Sequence, residues 1–507
     1  MSRPRPLYLG ASLPTTGGDM TALQLPSHHL VTHSVILGMT GSGKTGMLMV
    51  MVEEALRSKV PCILIDVKGD LPNLLLAFPS FAAEHFGSWV EGHGSPDEPP
   101  AADLAAQLAA ERQRELASWN LNADDVAQFR QQTELRVLTP GSNAGEPLHI
   151  LSSLERRSAS WGRDREAGRA TLSAAISLVL RLLGRDADPA RSREHVLLAI
   201  LAERRLEQGH TAELGSLLDE VLNPPMERVG AMAVNDFLPL KERKSLAAAL
   251  NTLLASPSFA SWREGASLDV REWLTPKNGR TPAVIVSVAH LDDEERTLVL
   301  GVLLEELLAY TRSLPGTRRL RALIAFDEVY GLLPPHPANP PTKRPTIALM
   351  KQGRAFGMGV IVATQNPMDL DYRALSNAGF WAVGRLQTDA DRERVVEGLT
   401  SAHDPGCTAP ELDDKIRRLG QRWFLVRNVH ATPSTTLLKP RWALSFLKGP
   451  MTLGDIERAR GGGGVSELRS RPDTGAVYAA EDTHATPRGR AGRDRLARAC
   501  AWAARLS

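Results

Sequence analysis

SVILGMTGSGKTGMLMVMVEEALR, residues 34–57, is the stretch on which the fold of this chain turns. Ser34-Val35-Ile36-Leu37 is a short apolar run of β-type residues that leads straight into a glycine-rich loop ending in Lys44-Thr45. The loop has the spacing G-x-x-x-x-G-K-[ST], with a strand before it and a helix after it, which is the P-loop arrangement. Gly38, Gly41 and Gly43 let the backbone curl so that its N–H groups converge on phosphate oxygens. The nucleotide-binding set is therefore expected to be Gly38, Thr40, Gly41, Ser42, Gly43, Lys44, Thr45 and Gly46. Lys44 is suited to bridging the β- and γ-phosphates of ATP, and Thr45 to placing its hydroxyl on Mg²⁺. The helix that follows directs the positive end of its dipole at the same anion.

Bulk properties bound the reading. A chain of 507 residues exceeds one typical core, so two or three domains are expected. The hydrophobic fraction of 43% and charged fraction of 23% are those of a globular protein. A formal net charge of +2 announces no polyanion partner, so any nucleic-acid contact would use a local patch. Cys62, Cys407 and Cys500 are widely spaced and read as incidental thiols, consistent with a reducing cytoplasm. The first residues lack the apolar core of a signal peptide, and the apolar run near residue 300 is broken by paired glutamates. A cytoplasmic protein without direct membrane insertion is the expectation.

Outward from the P-loop, short apolar runs alternate with helical periodicity. VPCILID, residues 60–66, reads as a buried parallel strand, followed by the turn Asp66-Val67-Lys68-Gly69-Asp70. From about 149 to 279, apolar residues recur at three- and four-residue spacing, which predicts a helical subdomain inserted between strands. AVIVSV at 283–288 resumes the sheet. The predicted divisions are a lead-in over 1–30, a core over 31–148 and 280–453, the helical insertion over 149–279, and a Gly/Arg-rich low-order tail over 454–507. The fold class is α/β with a mainly parallel sheet.

A P-loop alone binds; hydrolysis needs more. LRALIAFDE ends in Asp327-Glu328, the first placed to hold Mg²⁺ with Thr45 and the second to polarise an attacking water. The next apolar strand ends at Thr364-Gln365, where Gln365 can position water or report loss of phosphate. Arg354 and Arg385 are candidates for stabilising the transferring phosphoryl group, a role that can be supplied in trans; Arg392 and Arg394 read as a solvated helix face. Asp66 is open between a share in the metal shell and a plain turn. The proline-rich loop before Lys343 and Arg344 is open between a surface linker and a phosphate-touching pore loop.

Together, GMTGSGKTG, ILIDVKGDL, LIAFDEVYG, KQGRAFGMGVIVATQNP and RLQTDADRERVVEGL resemble the HerA/FtsK-type branch of RecA-like P-loop ATPases, most nearly the bacterial HerA-like ATP-binding proteins with a helical insertion. The resemblance spans about residues 28–450. It implies a ring, as a homohexamer, that uses ATP to translocate on or pump double-stranded DNA without sequence preference, as a helicase or translocase. It also implies that Gln365 is the strand-tip sensor and Arg354 the trans-acting arginine. Archaeal members carry a β-barrel before the P-loop, where only a short segment precedes Gly38 here; a nuclease partner is therefore not carried over. Two other readings stand beside it: a coupling ATPase for DNA and protein transfer at a membrane channel, and a nucleotide-gated assembly protein.

Overall fold

The computed structural model describes residues 5–15, 17–90, 100–158, 161–162, 164–367, 370–371, 378–400 and 408–461. Eleven strands form one sheet. In chain order they are β1 (Leu7–Pro14), β2 (Thr21–Leu25), β3 (Ser34–Leu37), β4 (Cys62–Asp66), β5 (Thr133–Leu138), β6 (Thr281–Ser287), β7 (Ala322–Phe326), β8 (Met358–Thr364), β9 (Phe380–Val383), β10 (Phe424–Asn428) and β11 (Thr435–Pro440). Their spatial order is β2-β1-β11-β10-β9-β3-β8-β7-β4-β6-β5. The seven strands from β9 to β5 run parallel, and the remaining four add an antiparallel flank.

The central parallel strands are buried along their whole length, which is why they read as unbroken apolar runs. Their side chains still alternate between two cores. Val35, Leu37, Ile63, Ile65, Ile324 and Phe326 face one layer, while Ile36, Cys62, Leu64, Leu323 and Ala325 face the other. Helix α1 (Lys44–Arg57) fills the second layer with Met47, Val50 and Met51. The first layer is filled by the helical stretch between β5 and β6, whose α2 (Arg165–Leu182) packs against α3 (Asp293–Ser313), the helix that follows β6. Arg312 at the end of α3 reaches Asp164, the N-cap of α2, at 3.3 Å, tying insertion to core.

The N-terminal segment does more than lead in: β1 is an interior strand, paired with β2 on one side and β11 on the other. Strands β10 and β11 form an antiparallel pair. Beyond them, Arg441 is fully buried between Glu53 and Glu54 of α1, at 3.1 and 3.0 Å. Glu53 also accepts from the amides of Leu444 and Ser445 at 2.7 and 2.9 Å. A capped helix (Leu453–Arg460) then occupies the start of the segment expected to be of low order, with Thr452 and Asp455 closing a reciprocal capping box. The tail from 462, and the weak helix read at 494–506, lie outside the described residues. Among the described residues, no helix is long and apolar enough to cross a membrane.

Candidate nucleotide site

The site is assembled where the parallel strands end. The P-loop leaves β3 with Gly38 at φ +156, Gly41 at +78 and Gly43 at +98. At Gly38 an added Cβ would stand 2.5 Å from the Ser42 hydroxyl, and at Gly43 3.0 Å from Arg422 Cγ, so neither position has room for a side chain. The loop is strapped from both sides by backbone: Met39 N–H donates to the Arg385 carbonyl at 2.8 Å, and Arg422 N–H donates to the Ser42 carbonyl at 3.1 Å.

Lys44 is buried at the base of the loop, its ammonium donating to the carbonyls of Gly38 and, at 3.2 Å, Met39. Burial, with the positive charge of Lys68 adding to it, pulls its pKa down to about 8. The buried Ser42 hydroxyl has no hydrogen-bond partner among the described residues. A loop of left-handed glycines, an ammonium satisfied only by neutral carbonyls and an unused hydroxyl together fit a polyphosphate. Thr45 donates to Asp70 at 3.2 Å. The Thr45 hydroxyl and the Asp327 carboxylate are the oxygen donors suited to Mg²⁺.

Strand β8 lies between β3 and β7, so the P-loop and Asp327-Glu328 are separated by one strand whose tip carries Gln365. Gln365 Oε1 accepts from the Thr40 hydroxyl at 2.7 Å, which places its side chain on the loop. Asp327 accepts from the amides of Val67 and Lys68 at 3.0 and 3.3 Å. Burial, reinforced by the neighbouring Asp66, raises its pKa well above the ordinary carboxylate range. Glu328 accepts from the amides of Val329 and Tyr330 at 3.1 and 3.3 Å through one oxygen, and meets the Lys68 ammonium at 2.7 Å through the other.

Asp66 is buried and builds the turn. It accepts from the amides of Gly69 and Leu71 at 3.0 and 3.1 Å and from the Ser287 hydroxyl at 2.6 Å. Its work is to present Lys68 and Asp70, two residues that sequence reading treated only as parts of a turn. The turn is latched from outside: Gly69, at φ +90, would carry a Cβ 2.9 Å from the Met451 carbonyl, and Met451 N–H donates to the Gly69 carbonyl at 2.8 Å.

The arginines separate. Arg385 follows β9 and is exposed beside its own P-loop. Arg354 is exposed in the last turn of the helix α4 (Lys343–Phe356), just before β8 begins. It therefore lies at the opposite edge of the sheet from Gln365, with the length of β8, about 20 Å at strand rise, between them. Arg392 is held by Asp389 and by Asp413 at 3.1 Å. Lys343 is buried and paired with Asp371 at 3.2 Å, so the phosphate-touching alternative does not apply to it in this structure. Arg344 is exposed, 3.8 Å from Glu166.

Arg422 was invisible as a site residue in the sequence. It stands at φ +61, its guanidinium 3.2 Å from the centroid of the Trp442 ring and donating to the Pro440 and Arg441 carbonyls at 3.3 and 3.2 Å. Burial lowers its pKa to about 10. No local signal marks it, because its partners are brought together only by the antiparallel flank.

Residues 13–202 match the family model described as "Helicase HerA, central domain". Among solved structures, the chain is similar to VirB4 of Thermoanaerobacter pseudethanolicus, with 14% identity and a TM-score of 0.48, covering 87% of this chain and 97% of that one. It is also similar to the plasmid coupling protein TrwB in complex with ADP and Mg²⁺, with 14% identity, a TM-score of 0.46 and coverage of 84% and 89%. The genome packaging NTPase B204 from Sulfolobus turreted icosahedral virus 2 is similar at 10% identity and a TM-score of 0.29, covering 80% and 97%. No curated protein matches the chain.

Proposed function

We infer, from the match of residues 13–202 to the HerA central-domain model, an ATP-hydrolysing motor that moves on double-stranded DNA as a ring of identical subunits. One observation carries the hydrolytic part. A single strand, β8, stands between the P-loop and Asp327-Glu328, and its tip residue Gln365 is hydrogen-bonded to Thr40 of the loop. That arrangement supports reading the loop as a phosphate cradle, Asp327 as a metal-side carboxylate, Glu328 as a base and Gln365 as a sensor at one edge of the sheet.

In the reaction, the loop amides and Lys44 hold the β- and γ-phosphates. Glu328 accepts a proton as the water oxygen bonds to the γ-phosphorus, and the bond from that phosphorus to the bridging oxygen breaks, leaving ADP and phosphate. Mg²⁺, when held by Thr45 and Asp327, supplies charge neutralisation for the phosphate oxygens. Gln365 lies between β3 and β7, where it can orient the water and relay the state of the site to Thr40. Arg385 acts beside its own P-loop. Arg354, at the far edge, serves the site of a neighbouring subunit, and this is the argument for a ring. Duplex DNA as partner rests on the helicase family that residues 13–202 match.

The test is ATP turnover with and without double-stranded DNA, together with electron microscopy of the protein with ATP and DNA. A several-fold stimulation by duplex and a closed ring with density through its centre are expected. Turnover indifferent to DNA would favour an assembly protein gated by nucleotide.

A further inference from the structure

We propose that Lys68 is a γ-phosphate sensor that holds the base Glu328 inactive until a triphosphate draws it away, an inference that rests on the nucleotide site just described.

Lys68 lies in the turn 66–70, and its own amide donates to Asp327 at 3.3 Å, so its backbone is pinned to the metal-side carboxylate. Its ammonium sits 2.7 Å from Glu328 Oε2. The other Glu328 oxygen is taken by the amides of Val329 and Tyr330. With one oxygen taken by two amides and the other by an ammonium, this carboxylate has no oxygen left open to accept a proton from water. In this state the base is locked.

The lock is built to open on one side only. Side-chain exposure is 32% for Lys68 and 7% for Glu328. The lysine has four flexible methylenes and open space, while the glutamate is fixed by backbone amides. Lys68 also bears on Lys44, whose ammonium its charge disfavours. Lys44 is hydrogen-bonded only to the Gly38 and Met39 carbonyls among the described residues, and the carboxylates of Glu328 and Asp70 offset part of the repulsion from Lys68. A terminal phosphate carries more negative charge than one carboxylate and so attracts Lys68 more strongly at equal distance. A diphosphate lacks the group that would reach it. Movement of Lys68 onto the γ-phosphate leaves Glu328 uncapped when, and only when, there is a bond to cleave.

The test is a double-mutant cycle on nucleotide affinity in the full chain with Mg²⁺, using fluorescent ADP and a fluorescent non-hydrolysable ATP analogue. Lys68→Met is expected to weaken the triphosphate analogue roughly tenfold while ADP affinity stays within about twofold. Glu328→Gln, which releases Lys68, is expected to tighten the triphosphate analogue several-fold, and this gain should vanish in the Lys68→Met background. Lys68→Arg should restore part of the preference. Equal effects of Lys68→Met on both nucleotides, or a Glu328→Gln gain that persists without Lys68, would overturn the proposal. If Lys68→Met does not fold, Glu328→Gln against the unaltered protein decides: no gain in triphosphate-over-diphosphate preference rejects the sensor. Failure of the unaltered protein to bind either nucleotide would instead reject the nucleotide site itself.

Discussion

Arg441 reaches Glu53 at 3.1 Å with both side chains wholly excluded from solvent, joining the end of the antiparallel flank to the helix that carries Lys44 and Thr45. Its second nitrogen meets Glu54, which is also bridged by Arg57 at 2.9 Å. Removing the guanidinium leaves two carboxylates buried with insufficient charge to balance them. Arg441→Met is expected to cost about 3–5 kcal/mol in denaturant unfolding, and adding Glu53→Gln and Glu54→Gln should recover part of that loss. An unchanged midpoint would show that the network carries no net stability.

Binding and hydrolysis should separate by residue. Lys44→Ala is expected to abolish nucleotide binding measured by fluorescence anisotropy. Glu328→Gln should retain ATP while turnover falls about 100-fold or more, the range of a lost general base. Asp327→Asn should lose turnover together with the Mg²⁺ dependence of affinity.

Because Arg354 and Arg385 lie at opposite edges of the sheet, their loss should differ in mixing experiments. Arg354→Ala alone and Lys44→Ala alone should each be inactive. Mixed before assembly, they should regain part of the turnover, since some interfaces pair an intact P-loop with an intact Arg354. Arg385→Ala mixed with Lys44→Ala should show no such recovery if it acts in its own subunit. Full turnover by an assembled Arg354→Ala ring would exclude the trans role.

Glu306 on α3 sets a pH dependence of stability. Burial lifts its pKa to about 7, against the weaker opposing pull of Arg156, and its Oε1 has no hydrogen-bond partner among the described residues. The folded state therefore holds a proton that the unfolded state releases nearer the ordinary value of 4.5. Stability should decline as pH rises from about 4.5 to 7 and level off above that, a loss on the order of 3 kcal/mol. Glu306→Gln is expected to flatten this slope in melting-temperature measurements and to raise stability at pH 8. A slope unchanged by the substitution would assign it to other groups.

Much of the site was legible because each part is local. An apolar run followed by a polar tip marks a buried parallel strand and what it presents, and this was enough to expect Lys44, Thr45, Asp327, Glu328 and Gln365 just beyond the ends of β3, β7 and β8, where the structure has them. Strand direction then sorted the arginines, which spacing alone could not do. Lys343 reads as a free cation because its partner Asp371 lies in a different loop. Lys68, Asp70 and Arg422 escaped for a related reason: their meaning depends on Glu328, Thr45 and Ser42, each distant in the chain and brought near only by the sheet. Capping chemistry in Thr452 and Asp455 was a local signal that could have shown helix where low order was expected.

The placement of β1 bears on how the chain is made. That strand is bordered by β11 on one side, so a strand made before the P-loop waits for one made long after it to find its place. Glu53 and Glu54, made early, likewise wait for Arg441. A nascent chain stopped before residue 441 would have a complete phosphate loop on a helix whose buried carboxylates lack their counter-charge. Such a truncated product should be a substrate for proteolysis rather than a weak nucleotide binder, and the finished C-terminal flank is what commits the chain to its native state.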